Sequence, residues 1–80
     1  MTRPVVWSER ALNSAAGFLG DDSQGLRQLL DVVDRLAYDA QPADSVEYGS
    51  PALRRLRVGR YRILYEINDV TTIIHLGRLG

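Results

Sequence analysis

Leu53 to Gly77 carries five of the chain's ten arginines, Arg54, Arg55, Arg57, Arg60 and Arg62, together with its only histidine, His75. A guanidinium offers a planar fork of donors that matches a phosphate and stabilises charge developing on it, but it holds its proton too tightly to act as a base near neutrality. An imidazole titrates in that range and can move a proton. A phosphate clamp beside a histidine is the arrangement that RNA cleavage by the adjacent 2′-hydroxyl requires. Serine-based hydrolysis has less support, because all five serines lie in the first fifty residues and none sits in a nucleophile-elbow motif.

Whether these groups meet depends on the elements that carry them. The stretch is rich in Val, Ile, Thr, Tyr and Leu and reads as three short strands, with tight turns at Val58-Gly59 and Asn68-Asp69. With two-residue turns, Tyr61, Ile63, Tyr65 and Ile67 face Leu76, Ile74, Thr72 and Val70 on an apolar side that also takes Leu56. The other side sets Arg57 opposite Arg60, Arg55 opposite Arg62, Arg62 opposite His75, Leu64 opposite Ile73 and Glu66 opposite Thr71. Arg55, Arg57, Arg60, Arg62 and His75 thereby share one face, subject to a one-residue slip or a bulge at Gly59. An antiparallel sheet ordinarily turns a polar face to water, and alternation alone predicts one here. A solvated face usually mixes signs, however, and like charges directly opposite one another destabilise a sheet unless an anion lies between them.

The remaining residues must cover the apolar side. Arg3 to Trp7 is a short apolar run that fits an edge strand, with Pro4 near its start. Ser8 is placed to cap a helix whose stripe is Ala11, Leu12, Ala15, Ala16 and Leu19, ended by Gly20. Asp21-Asp22-Ser23 opens a second helix with Leu26, Leu29, Leu30, Val33 and Ala37 at helical spacing. The two form a hairpin suited to the apolar side of the sheet. Asp39 to Ala52 is the one long loop, and Tyr48 within it either covers the core edge, the favoured reading, or reaches a ligand.

Composition bounds the class. Residues 1–80 make one domain with a small core. The absence of cysteine excludes disulfides and thiolate metal sites and suits a reducing cytoplasm, while one histidine excludes a histidine-cluster zinc site. Neither a signal peptide nor a membrane span is expected, and the glycines match no phosphate-loop spacing. Net charge is zero, yet residues 1–50 carry four Arg against eight acids and residues 51–80 carry six Arg against Glu66 and Asp69. That division points to an anionic ligand at the C-terminal half.

The run RRLRVGRYRILYEI from Arg54 to Ile67, the apolar strand ending at Leu76-Gly77, and the opening strand followed by SERAL at Ser8 to Leu12 strongly resemble the RelE/ParE superfamily of bacterial type II toxins. The resemblance covers nearly the whole chain. It implies an α+β fold: an N-terminal strand, a helical hairpin and a three-stranded antiparallel meander with a short C-terminus. For RelE-type members it implies an endoribonuclease, or mRNA interferase, that inhibits translation by cutting mRNA on the ribosome, with no cofactor or metal. Carried over, the basic cleft positions are Arg55, Arg57 and Arg62, with Arg78 as a further basic candidate. The tyrosine that RelE-type toxins carry after the last strand has no counterpart following Gly77, so His75 is the candidate for proton transfer. The resemblance also implies a RelB-like antitoxin as partner, and operator DNA through the antitoxin complex. The alternatives are a ParE-like inhibitor of DNA gyrase without catalysis and a degenerate toxin that only binds its antitoxin.

Overall fold

The structure, a computed structural model, describes residues 2–78. The elements run β1 (Val5–Trp7), α1 (Glu9–Asp21), α2 (Ser23–Arg35), β2 (Val46–Glu47), β3 (Leu53–Val58), β4 (Tyr61–Ile67) and β5 (Thr71–Arg78). The sheet order is β1-β5-β4-β3-β2, with β1 parallel to β5 and the other neighbours antiparallel. The expected strand, helical hairpin and meander are therefore present. To them β2 is added, a two-residue edge strand within what the sequence presents as loop. No helix among the described residues is long and apolar enough to cross a membrane.

The helical hairpin covers one face of the sheet and encloses the core of Ala11, Leu26, Leu29, Val33, Leu36, Leu56, Tyr61, Ile63, Tyr65, Ile73 and Leu76. On α2 the buried stripe is Leu26, Leu29 and Val33, continued by Leu36 at the C-cap, whereas Leu30 faces out. On α1 the stripe is rotated from the expected one: Ala11 is buried and Ala15 and Phe18 pack behind it, leaving Leu12 and Leu19 more than half exposed. Phe18 turns the helix this way because its ring packs at 5.2 Å from that of Tyr61 at the start of β4.

Two turns set the register. The β3–β4 turn is Gly59-Arg60, one residue later than the sequence suggests. Gly59 takes φ +60° at the first central position, as a type II′ hairpin requires, and no other residue type tolerates that angle as well. The β4–β5 connection holds three residues, Asn68 to Val70, so that Ile67 faces Thr71 and Tyr65 faces Ile73. This one-residue slip corrects the expected pairing: Thr71 and Ile73 enter the core, and Thr72 and Ile74 do not. A bulge then puts Leu64 opposite His75 and Ile63 opposite Leu76, which returns Leu76 to the core. Ser8 holds this bulge from the side. Its hydroxyl caps α1 by accepting from the Ala11 amide at 3.0 Å and donates to the Ile74 carbonyl at 2.8 Å.

Asp22 joins the helical hairpin to the sheet. As the α2 N-cap it accepts from the Gly25 amide at 2.9 Å, and its second oxygen accepts from the Tyr61 hydroxyl at 3.0 Å. Gly25 leaves room for the carboxylate, which a Cβ there would overlap. The Gly25 amide first, then the Tyr61 hydroxyl, lower the Asp22 pKa below its ordinary 3.8. A carboxylate whose folded pKa is depressed stabilises the fold fully above its unfolded value and loses that contribution as pH falls through the folded one. Asp22→Asn is accordingly expected to be less stable than the native chain at neutral pH, and to lose less stability than the native chain on acidification below about pH 4. Thermal unfolding followed by circular dichroism across that range checks it; parallel pH curves would show that Asp22 contributes no charge-dependent stability.

Candidate functional site

The face of the sheet turned away from the helices carries Arg55 and Arg57 from β3, Arg62 and Leu64 from β4, and His75 from β5. The two-residue shift in the β3–β4 register preserves their common side, because strand faces repeat every two residues. It changes their partners. Arg57 lies directly opposite Arg62, Arg55 lies opposite Leu64, and His75 lies opposite Leu64 rather than Arg62. Arg60, expected on this face, sits instead in the turn and lines a cleft with Asp21 and Asp22 on the helix side.

Arg55, Arg62, Leu64 and His75 line one pocket of about 160 Å3 together with Tyr48. It is roomy enough for a phosphate group and well below the ~300 Å3 of an ordinary small-molecule site. Arg57 lies opposite Arg62 in the register but does not line this pocket; it lines the neighbouring groove between the end of α2 and β3. Among the described residues the ion pairs are Arg54–Glu47 at 4.0 Å and Arg78–Asp21 at 3.6 Å, so none of the three outer arginines is neutralised by a carboxylate. Arg57 donates from Nε to the Gly59 carbonyl at 3.2 Å, which orients its side chain along the hairpin. Glu66 lies at the far end of the face, where it accepts from Asn68 at 3.1 Å. The cleft is thus a concentration of fixed positive charge, with like charges opposed across the strands and an anion the natural occupant.

His75 is partly buried, with its ring over Gly77, which faces Arg62 across the strands. Its Nδ1 is buried without a hydrogen-bond partner. The rest of the His75 side chain contributes to the wall of the basic pocket.

Arg54 and Arg78 lie elsewhere. Arg54 occupies the helix side of β3, where it donates to the Ser45 hydroxyl at 2.9 Å and to the Ser45 carbonyl at 3.1 Å. Arg78 faces Tyr61, pairs with Asp21 and lies over the Phe18 ring at 5.5 Å, on the opposite side of the sheet from the pocket. The structure therefore brings three of the five candidates, Arg55, Arg62 and His75, into one pocket, turns Arg57 to the neighbouring groove and holds Arg78 apart.

Tyr48 is the residue that the sequence reading misplaces. Packing was expected, but the side chain is 48% exposed and stands on the arginine face, with the Arg55 guanidinium 5.0 Å from its ring centre. The signal was the alternation of Val46, Glu47 and Tyr48 beside β3: Val46 pairs with Arg55, and Tyr48 shares Val46's side.

The ParE toxin family of the type II parDE toxin–antitoxin system matches residues 5–80. Among solved structures, the archaeal RelE–RelB complex from Pyrococcus horikoshii is similar with a TM-score of 0.81 and 26% identity, covering 100% of this chain and 98% of that one. The chromosomal ParDE system of P. aeruginosa gives 0.80 at 11% identity, covering 99% and 98%. An E. coli RelE with two arginines replaced by alanine gives 0.77 at 24% identity, covering 98% and 84%. No curated protein matches the sequence.

Proposed function

The chain belongs to the ParE toxin family of type II toxin–antitoxin systems, within the RelE/ParE superfamily, and from that premise we propose that it is a RelE-like endoribonuclease cutting mRNA on the ribosome. The observation that carries this reading is the pocket of Arg55 and Arg62, neither paired with a carboxylate among the described residues, with His75 in its wall. In the proposed reaction the 2′-oxygen forms a bond to the adjacent phosphorus and the bond from phosphorus to the 5′-oxygen breaks. The 2′-hydroxyl gives up its proton and the leaving 5′-oxygen gains one. Arg55 and Arg62 would hold the non-bridging oxygens, whose charge grows in the transition state. His75 is the candidate for one of the two proton transfers. Arg78, paired with Asp21 on the other face, has no part in this step.

A RelB-like antitoxin is the proposed partner, with operator DNA reached through their complex. A groove of about 500 Å3 between the end of α2 and β3 supports it: Val32, Leu36, Leu56 and Val58 line the groove, and Arg35, Arg57 and Asp44 stand among the charged groups there, a composition suited to an amphipathic segment. The second reading, a ParE-like gyrase inhibitor, draws on the family match itself and on the placement of Arg78 away from the cleft.

Induced expression in a bacterial host, with primer extension on an abundant transcript, separates the two. New ends within codons of translated RNA are expected. Growth arrest with intact mRNA would move the assignment to gyrase or another protein target, and the absence of arrest would leave antitoxin binding alone.

A further inference from the structure

We propose that Tyr48 is a stacking shelf for a nucleobase, so that the pocket takes a single-stranded ribonucleotide with its phosphate on the arginines and a neighbouring base on the tyrosine ring. The inference rests on the nucleic-acid reading above and names the form of RNA that the site accepts. Tyr48 lines the same pocket as Arg55, Arg62, Leu64 and His75. The Arg55 guanidinium, 5.0 Å from the ring centre, holds one face of that ring by a cation–π contact and so fixes its orientation, while about half of the residue stays exposed. The backbone beneath is also anchored, since the Tyr48 amide donates to the Leu53 carbonyl at 2.8 Å.

An aromatic ring held at the rim of an unneutralised arginine cleft is the pairing by which proteins bind single strands: charge follows the backbone and a base lies on the ring. A base within a duplex cannot reach such a shelf, because its faces are already covered by its neighbours. Every base has a π-face, so the shelf favours single strands over duplex with little preference among sequences. Val46, 56% exposed and on the same side of β2, extends the apolar surface beyond the ring.

The test is fluorescence anisotropy of the full chain at fixed salt, with a labelled single-stranded oligoribonucleotide and with an abasic strand of equal length. Tyr48→Ala is expected to weaken binding of the first about ten-fold and to leave the second unchanged, and Tyr48→Phe to restore the affinity. Arg62→Ala is expected to weaken both. Equal loss on the two strands in Tyr48→Ala would mean that the tyrosine acts only by orienting Arg55, which overturns the shelf. Loss in Arg62→Ala without loss in Tyr48→Ala overturns the shelf and leaves the phosphate cleft standing. No binding by the native chain, or no effect of either variant, overturns the nucleic-acid reading itself.

Discussion

Arg62→Ala is expected to lower the rate of RNA cleavage by about 10²–10³-fold while leaving the fold intact, the loss typical when one preorganised charge donor is removed from a developing oxyanion. Its side chain is exposed, makes no ion pair among the described residues, and lies directly opposite Arg57. Removing it relieves a like-charge opposition, so thermal stability should stay level or rise slightly, unlike the outcome for a residue with a structural role. Arg62→Lys restores the charge without the planar fork and is expected to fall between the two. The antitoxin should still bind through the groove between α2 and β3, in which Arg62 takes no part. Single-turnover cleavage, a thermal melt and antitoxin titration on the same preparations decide the matter. Unchanged toxicity with Arg62→Ala would sink the cleavage model, whereas loss of toxicity with loss of folding would say nothing specific about phosphate and would call for the Lys variant.

Arg55→Ala, which removes the second arginine lining the same pocket, should reduce cleavage in the same direction, and the double variant should lose less than the two single losses combined. Groups that hold one phosphate act as a unit, and their losses do not add when one partner is already gone.

How far the sequence predicts this site depends on the period of a strand. Arg55, Arg57 and Arg62 share a face in any register that differs by two residues, so moving the first turn from Val58-Gly59 to Gly59-Arg60 changed their partners without separating them. Arg60 was lost from the set for a local reason, because the type II′ turn takes Gly59 and the residue after it out of the strands. His75 kept its side for a less secure reason. The three-residue loop at Asn68 to Val70 shifts β5 by one residue and inverts its first half, and the bulge inverts the second half again. Neither irregularity has a signature in the local sequence strong enough to read, and once the slip has occurred only the bulge returns His75 to the side of the arginines. On α1 the apolar stripe was misread because Ala11, Leu12, Ala15, Ala16 and Leu19 allow two adjacent faces. The large ring of Phe18 decides between them by packing on Tyr61, a contact fixed only in the folded chain. For Tyr48 the sequence favours packing over ligand contact because a strand of two residues carries too little pattern to show which face it joins.

The inverted half of β5 gives the second large effect. Ile73 is fully buried opposite Tyr65, whereas Ile74, its neighbour in sequence and identical in chemistry, is the extra residue of the bulge and only partly buried. Ile73→Ala leaves a cavity among Tyr65 and the residues packed around it and is expected to cost about 2–5 kcal/mol, while Ile74→Ala should cost about 1 kcal/mol. A domain of this length has a total stability of roughly 4–12 kcal/mol, so the first change removes a large share of it and the second does not. Urea denaturation at fixed pH measures both. Should Ile73→Ala fail to fold, Ile73→Val, expected to cost about 0.5–1.5 kcal/mol, keeps the comparison measurable. The reverse order, with Ile74 the more costly, would place Ile74 in the core and restore the two-residue turn at Asn68-Asp69. In that register His75 would pair with Arg62 directly, and the pocket that joins it to Tyr48 and Arg55 would have to be drawn differently. A stability measurement on two isoleucines that do not line the pocket therefore tests the geometry on which the proposed chemistry depends.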